Sequence, residues 1–179
     1  MFWEIVARTI VVHTLTYFVV GLIAYRLLNY TAMLAAPERA SFMRPTSDPL
    51  VRAGVLFQPI RGLLFGTVFY LLRGELFDQG NGWLVMWVML VFVGILSTFA
   101  PAPSSIEGLI YTKSSFPRSA APLEILIQSF LLSVLTFYWV GHPDNAWLNW
   151  GLGAAFVIVL VLIGLGSIAS RRRAGATPA

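Results

Sequence analysis

Five side chains in this sequence are of types that do chemistry and stand where such types are costly. Arg61 lies well inside an apolar run that begins at Leu50. An arginine at the centre of a bilayer costs about 2.5–3.5 kcal/mol on insertion scales unless it is paired or hydrated. Two placements follow from that. Either Arg61 contacts an anion, a lipid headgroup or a substrate in a cavity, or the true span is shifted and its stem snorkels to the cytoplasmic interface. In the second case Arg52, Gln58 and Pro59 lie on the same side of it, and Leu50–Pro59 is a tilted interfacial helix. Glu107 is the natural counter-charge. It sits in Ala100–Tyr111, a stretch too apolar for an ordinary solvated loop. Such a stretch folds back into the membrane only where protein or water satisfies its backbone. An Arg61–Glu107 pair would solve both burial problems.

His13 and Tyr17 belong to a second group. Thr9, His13, Thr16 and Tyr17 share one face of a helix, and a polar stripe on a membrane helix turns towards protein rather than lipid. A hydrogen bond between helices is the first use of such a histidine. Proton carriage or axial ligation of a haem or chlorophyll would need a second feature. The other histidine, His142, lies in a turn with no motif around it. For covalent chemistry, Ser104 and Ser105 near Glu107 and Lys113 form the one constellation, without a histidine on that side. No phosphate-binding Walker loop, dinucleotide fingerprint or HExxH pair is present. The absence of cysteine removes disulfides, thiolate catalysis and cysteine metal sites. No catalytic residue, metal or cofactor is therefore expected. The cluster Arg61, Glu107, Gln58, His13 and Tyr17 is expected to bind or to pack.

The elements that hold these residues are read from composition. The 179 residues are 58% apolar and 11% charged, with a mean hydropathy of +0.77, whereas soluble domains carry about 25% charged residues. The reading is an all-α integral membrane bundle with five spans, near 5–28, 50–72, 83–100, 123–140 and 147–168. Each is long enough, or nearly so, for a hydrocarbon core of ~30 Å. The first span holds Glu4 in its leading end, runs to Leu28 and lacks a small-x-small cleavage site, so it is read as retained rather than as a signal peptide. Thr46-Ser47-Asp48-Pro49 is a helix-start signature, and Pro59 predicts a kink. Gly62 and Gly66 match the small-xxx-small packing pattern, and Ser129, Ser133 and Thr136 form a packing stripe. Glu4 and Arg8 are spaced as an i,i+4 pair. Glu124 suits the dipole of a helix start.

Orientation follows from the basic residues. Arg26, Arg39, Arg44, Arg52, Lys113, Arg118 and Arg171–Arg173 fall on one side, and Arg8 and Arg73 on the other. The bias places the first set in the cytoplasm, with the N-terminus outside and the C-terminus inside. Residues 1–170 then form one membrane domain, and 171–179 a basic, disordered tail. The net charge of +4 is dispersed among apolar spans, which argues against nucleic acid. Five spans cannot divide into two equal inverted halves, which removes the common transporter plan. The expected partners are the lipid bilayer and other membrane subunits or copies of the chain itself, in a cell (inner or plasma) membrane. The leading expectation is a non-enzymatic accessory, assembly or scaffold subunit. A small oligomeric transporter or channel lined by Arg61, Glu107 and His13 is the alternative, and an intramembrane lipid-acting enzyme the third.

Overall fold

The structure, a computed structural model, describes residues 1–35, 43–98, 102, 104–111 and 121–175, and every regular element among them is helical. Helix α1 (Phe2–Leu27) has 26 residues, about 39 Å at 1.5 Å per residue. Its hydroxyls donate to carbonyls one turn back: Thr9 to Ile5 at 2.7 Å, Thr14 to Ile10 at 2.8 Å and Thr16 to Val12 at 2.9 Å. Each is thereby satisfied inside its own helix and can be buried without water. The helix stops where Asn29 adopts a φ of 47°, a left-handed conformation that asparagine tolerates better than most residues. The Asn29 side chain accepts from Ala32 N–H at 3.4 Å in the short α2 (Tyr30–Ala35).

The expected second span is divided. It comprises α3 (Pro49–Arg52), a 3-10 turn over Gly54–Phe57 and α4 (Gln58–Leu71). Asp48 caps α3 as its sequence predicts, accepting from Leu50 N–H at 2.8 Å. Pro59 falls in the first turn of α4 rather than in a helix interior, where its missing donor has no intrahelical partner to lose.

Next come α5 (Arg73–Phe77), α6 (Gly82–Val91) with a π turn over Phe92–Leu96, and α7 (Ile106–Tyr111). Finally α8 (Ala121–Gly141) leads through a π turn at Leu148–Leu152 into α9 (Gly153–Gly175). Four stretches are long and apolar enough to cross a membrane: Phe2–Leu27, Gly54–Leu71, Pro122–Gly141 and Leu148–Ala169. The stretch expected as 83–100 is shorter. It has ten residues of α-helix and five of π-helix, about 22 Å, and its helix ends at Leu96; 99–101 lie outside the described residues. The arginine run expected in a disordered tail is instead helical to Gly175, and 176–179 lie outside the described residues, as do Arg39, Lys113 and Arg118.

Glycines set the tightest packing. A Cβ on Gly62 would stand 2.6 Å from Ile10 Cα, and one on Gly66 2.8 Å from Val6 Cα. Phe2 meets Tyr70 edge-on at 4.9 Å. These pairs advance along α4 as they retreat along α1, so the two helices are antiparallel. Arg8 over Trp139 at 5.8 Å, and Glu124 3.8 Å from the Cβ position of Gly21, make α8 antiparallel to α1 as well. Trp87 Nε1 donates to the Leu126 carbonyl at 3.4 Å, and Trp83 packs on Phe130, so α6 opposes α8. The turn into α9 is tied by Trp139 Nε1 donating to Asn149 Oδ1 at 2.7 Å. Ile5, Val12, Phe69, Met86, Leu132 and Trp139 form the apolar core where these helices meet.

Candidate functional site

Within that bundle lies a column of polar groups shared by α1, α4 and α8. Thr9, His13 and Thr16 on α1, Gln58 on α4, and Ser129, Ser133 and Thr136 on α8 are all buried. His13 is 1% exposed. Its Nε2 lies 3.2 Å from Gln58 Oε1, while Gln58 Nε2 donates to the Gly54 carbonyl at 3.1 Å. With the amide held in that sense, the proton between the two side chains belongs to His13 Nε2. The glycine contact explains why they meet: Gly62 and Gly66 bring α4 close, and Gln58 is one turn before Gly62.

The other imidazole nitrogen is then a bare acceptor. His13 Nδ1 is buried without a hydrogen-bond partner among the described residues, and so is Thr136 Oγ1. Leaving a buried polar atom unmatched costs about 1–3 kcal/mol. Neither residue type nor spacing marks Thr136 as different from Ser129 and Ser133, whose hydroxyls donate to Leu126 and Ser129 carbonyls at 3.0 and 2.8 Å.

Arg61 belongs to the same region but to its outside. The antiparallel register sets it opposite Val11, about 13 Å from the start of α1 and about 24 Å from its end. Its side chain is exposed on the surface of the bundle. The guanidinium lies 5.8 Å from the Phe65 ring, which also meets His13 edge-on at 5.1 Å. Tyr17 is half-buried, its ring 6.4 Å from that of His13. Four of the five expected residues therefore gather around the His13–Gln58 couple.

Glu107 does not join them. It is half-buried on α7 and makes no ion pair with Arg61; ion pairs among the described residues join the Met1 amine to Glu4 and Arg44 to Asp48. Glu4 thus pairs with the chain terminus rather than with Arg8. The Glu107 segment is organised locally: Ser105 Oγ accepts from Gly108 N–H at 2.9 Å and donates to the Ala102 carbonyl at 2.7 Å. Its outer face of Ile106, Leu109, Ile110 and Tyr111 is exposed.

A different carboxylate closes the column. Glu124 is half-buried beside Gly21 and accepts a hydrogen bond from the Tyr30 hydroxyl. This contact spans the chain from the end of the first helix to the start of α8. Its local signal is the Asn29 turn, which folds Tyr30 back; no periodicity pairs it with Glu124. Among the described residues no group of three His, Cys, Asp or Glu could hold a metal ion. No protein-family model, curated protein or solved structure matches the chain.

Proposed function

We propose that this chain is a non-enzymatic membrane subunit that works through helix contacts, as an accessory, assembly or scaffold component of a larger membrane complex. Arg61 is the observation that carries this reading. Its charge is exposed near mid-height of the helix bundle and makes no ion pair among the described residues. Facing lipid there, it bears the full penalty of an intramembrane cation. A neighbouring helix that offers a carboxylate relieves the penalty and, by the same contact, selects the partner. Ile60, Leu64 and Val68, exposed on α4, give that helix an apolar surface to rest on.

Five crossings accompany this reading, with the N-terminus outside and the C-terminus in the cytoplasm of a cell membrane. The alternating directions of α1, α4, α6 and α8, and the reversal into α9, support it. On this view α6 and its π turn make the short third crossing, and α5 packs against the outer part of it, since Leu76 of α5 shares the core with Met86 and Leu90 of α6. The cysteine-free sequence makes the topology directly measurable: Asn81→Cys should label only from outside, and Ala174→Cys only from the cytoplasm.

The decisive experiment is extraction of the full chain from its native membrane in lipid nanodiscs, with mass identification of what accompanies it. A stoichiometric membrane partner is expected, lost in Arg61→Glu and kept in Arg61→Lys, with the variants folding alike. A chain recovered alone, or a partner retained equally by Arg61→Glu, overturns the reading.

A further inference from the structure

Where α1 begins and α4 gives way to α5, the bundle carries a cavity of about 400 Å³, walled by Met1, Leu71, Arg73, Glu75 and Asp78 among others. That is within the size range of small-ligand sites, about 300–1,000 Å³. The stretch of α4 long and apolar enough to cross a membrane ends at Leu71. The cavity therefore opens at the boundary between hydrocarbon and headgroups, whichever face of the membrane it is on. Arg61 lies about three turns earlier along α4, so this place is separate from the contact proposed above.

Charges of both signs share the cavity without meeting. Arg73 is half-buried, its guanidinium 4.6 Å from the Tyr70 ring and its Nη1 donating to the Tyr70 carbonyl at 3.2 Å. One of its five donors is thereby spent and the rest are open. Glu75 and Asp78 are exposed, and neither forms an ion pair with Arg73 among the described residues. Asp78 Oδ2 lies 3.8 Å from the Cβ position of Gly74, so its carboxylate is folded back over the residue next to Arg73. The Met1 amine is already taken by Glu4 at 2.9 Å. The wall itself is fixed. Glu75 and Leu76 N–H both donate to the Leu72 carbonyl at 3.0 Å, Leu76 is buried in the core, and Gly82 packs on the Leu76 backbone where no Cβ would fit.

A ligand that answers both signs carries an anion for Arg73 and a cation for the two carboxylates. We infer that the cavity binds the headgroup of one phosphatidylethanolamine molecule, its phosphate on Arg73 and its ammonium between Glu75 and Asp78. Arginine matches a phosphate with its planar fork of donors, and a primary ammonium brings N–H groups to the carboxylates. Phosphatidylglycerol supplies the phosphate and no cation; phosphatidylcholine supplies both charges but no N–H. Leu71 and Leu72, 69% and 40% exposed, give the acyl chains an apolar edge over which to leave the site. Because Tyr70 already holds the guanidinium and the core holds α5, little ordering opposes binding.

The test is native mass spectrometry of the purified, delipidated full chain titrated with single lipids. One phosphatidylethanolamine should bind about tenfold more tightly than phosphatidylglycerol or phosphatidylcholine. Arg73→Ala should lose that binding. The double variant Glu75→Gln, Asp78→Asn should instead lose the preference, holding phosphatidylglycerol as well as phosphatidylethanolamine. It alters two exposed side chains only, so it decides the matter even where Arg73→Ala unfolds. Soluble glycerophosphoethanolamine, which has the same charges and no chains, should bind about tenfold more weakly than the lipid or less. Equal binding of the three lipids to the wild type, or an unchanged preference in the double variant, overturns the inference. Glycerophosphoethanolamine binding as tightly as the lipid overturns the assignment to a membrane lipid.

Discussion

Two helices of similar length and opposite habit share this molecule. Over its apolar window α1 is 44% buried, whereas Leu148–Ala169, which joins the π turn to most of α9, is 6% buried. The side chains that α1 buries include Thr9, His13, Thr14 and Thr16; those that α9 exposes include Val157, Ile158, Val161, Leu162 and Leu165. In water this would be an inverted protein. In lipid it is the expected arrangement, because tails solvate leucine as well as a neighbouring helix does, and burial is won by close approach and hydrogen bonding. What distinguishes α1 from α9 is therefore its buried polar stripe, not the amount of apolar surface either one carries.

The sharpest way to break this contrast is through glycine. Gly62 and Gly66 press on the backbone of α1, while Gly164 and Gly166 of α9 have nothing within 4 Å of a built Cβ. Leucine at Gly62 or Gly66 has to push two backbones apart, and overpacking of this kind costs about 1–3 kcal/mol, more where a helix must move. Leucine at Gly164 or Gly166 meets lipid and should be neutral or slightly stabilising through helix propensity. Unfolding of the four variants in mixed detergent micelles measures the difference. Equal destabilisation at the two pairs would mean that α9 is packed as tightly as α1 and that the contrast is false.

A smaller effect sharpens the same comparison from inside the column. Gln58→Leu removes the hydrogen-bond partner of His13 Nε2 and leaves that buried nitrogen unmatched among the described residues, which costs about 1–3 kcal/mol. His13→Leu alone orphans the Gln58 carbonyl in the same way. The double variant removes donor and acceptor together, so its loss should fall well short of the sum of the singles; a coupling of that sign in a double-mutant cycle measures the bond. Strict additivity would show that the 3.2 Å contact contributes nothing to the column.

How much of this was legible depended on whether the determining contact was local. The first helix, the Asp48 start and the polar stripe of α1 follow from neighbours in sequence, and each is where periodicity and capping chemistry put it. Arg61 was visible as an anomaly, but its height was not. That needed the register of α4 on α1, which the two glycines set against Ile10 and Val6. The Arg61–Glu107 pair rested on two charges sharing one side of the membrane, and nothing local tests a contact across intervening helices. Tyr30 with Glu124 was hidden for the complementary reason, since a turn at Asn29 and a helix starting near Ala121 had to be placed together first. The third expected span, 83–100, was overestimated because its apolar run does not stop where its helix does; Ser97 and Thr98 follow Leu96 without helical geometry.

The smallest effect belongs to the surface and shows why the buried contacts govern the fold. Asp48 is only partly covered, and the Arg44 guanidinium at 2.9 Å and the Leu50 N–H at 2.8 Å hold its carboxyl below the usual carboxylate range. A carboxyl whose pKa is lowered by folding stabilises above its unfolded value, about 3.9, and loses that contribution as pH falls through the lower folded value. Between neutral pH and about pH 5 the start of α3 should be unchanged, and only below the ordinary carboxylate range should it fray. Amide exchange at Leu50 and Val51 reads this directly. Asp48→Asn keeps a side-chain oxygen for the cap and should remove the acid step. Persistence of the step in that variant would assign it to another group. Water screens the pair and the helix is one turn long, so the fraying should stop at Ala53. The register of Gly62 on Ile10 has no such screen, and a change there has to travel the length of α1.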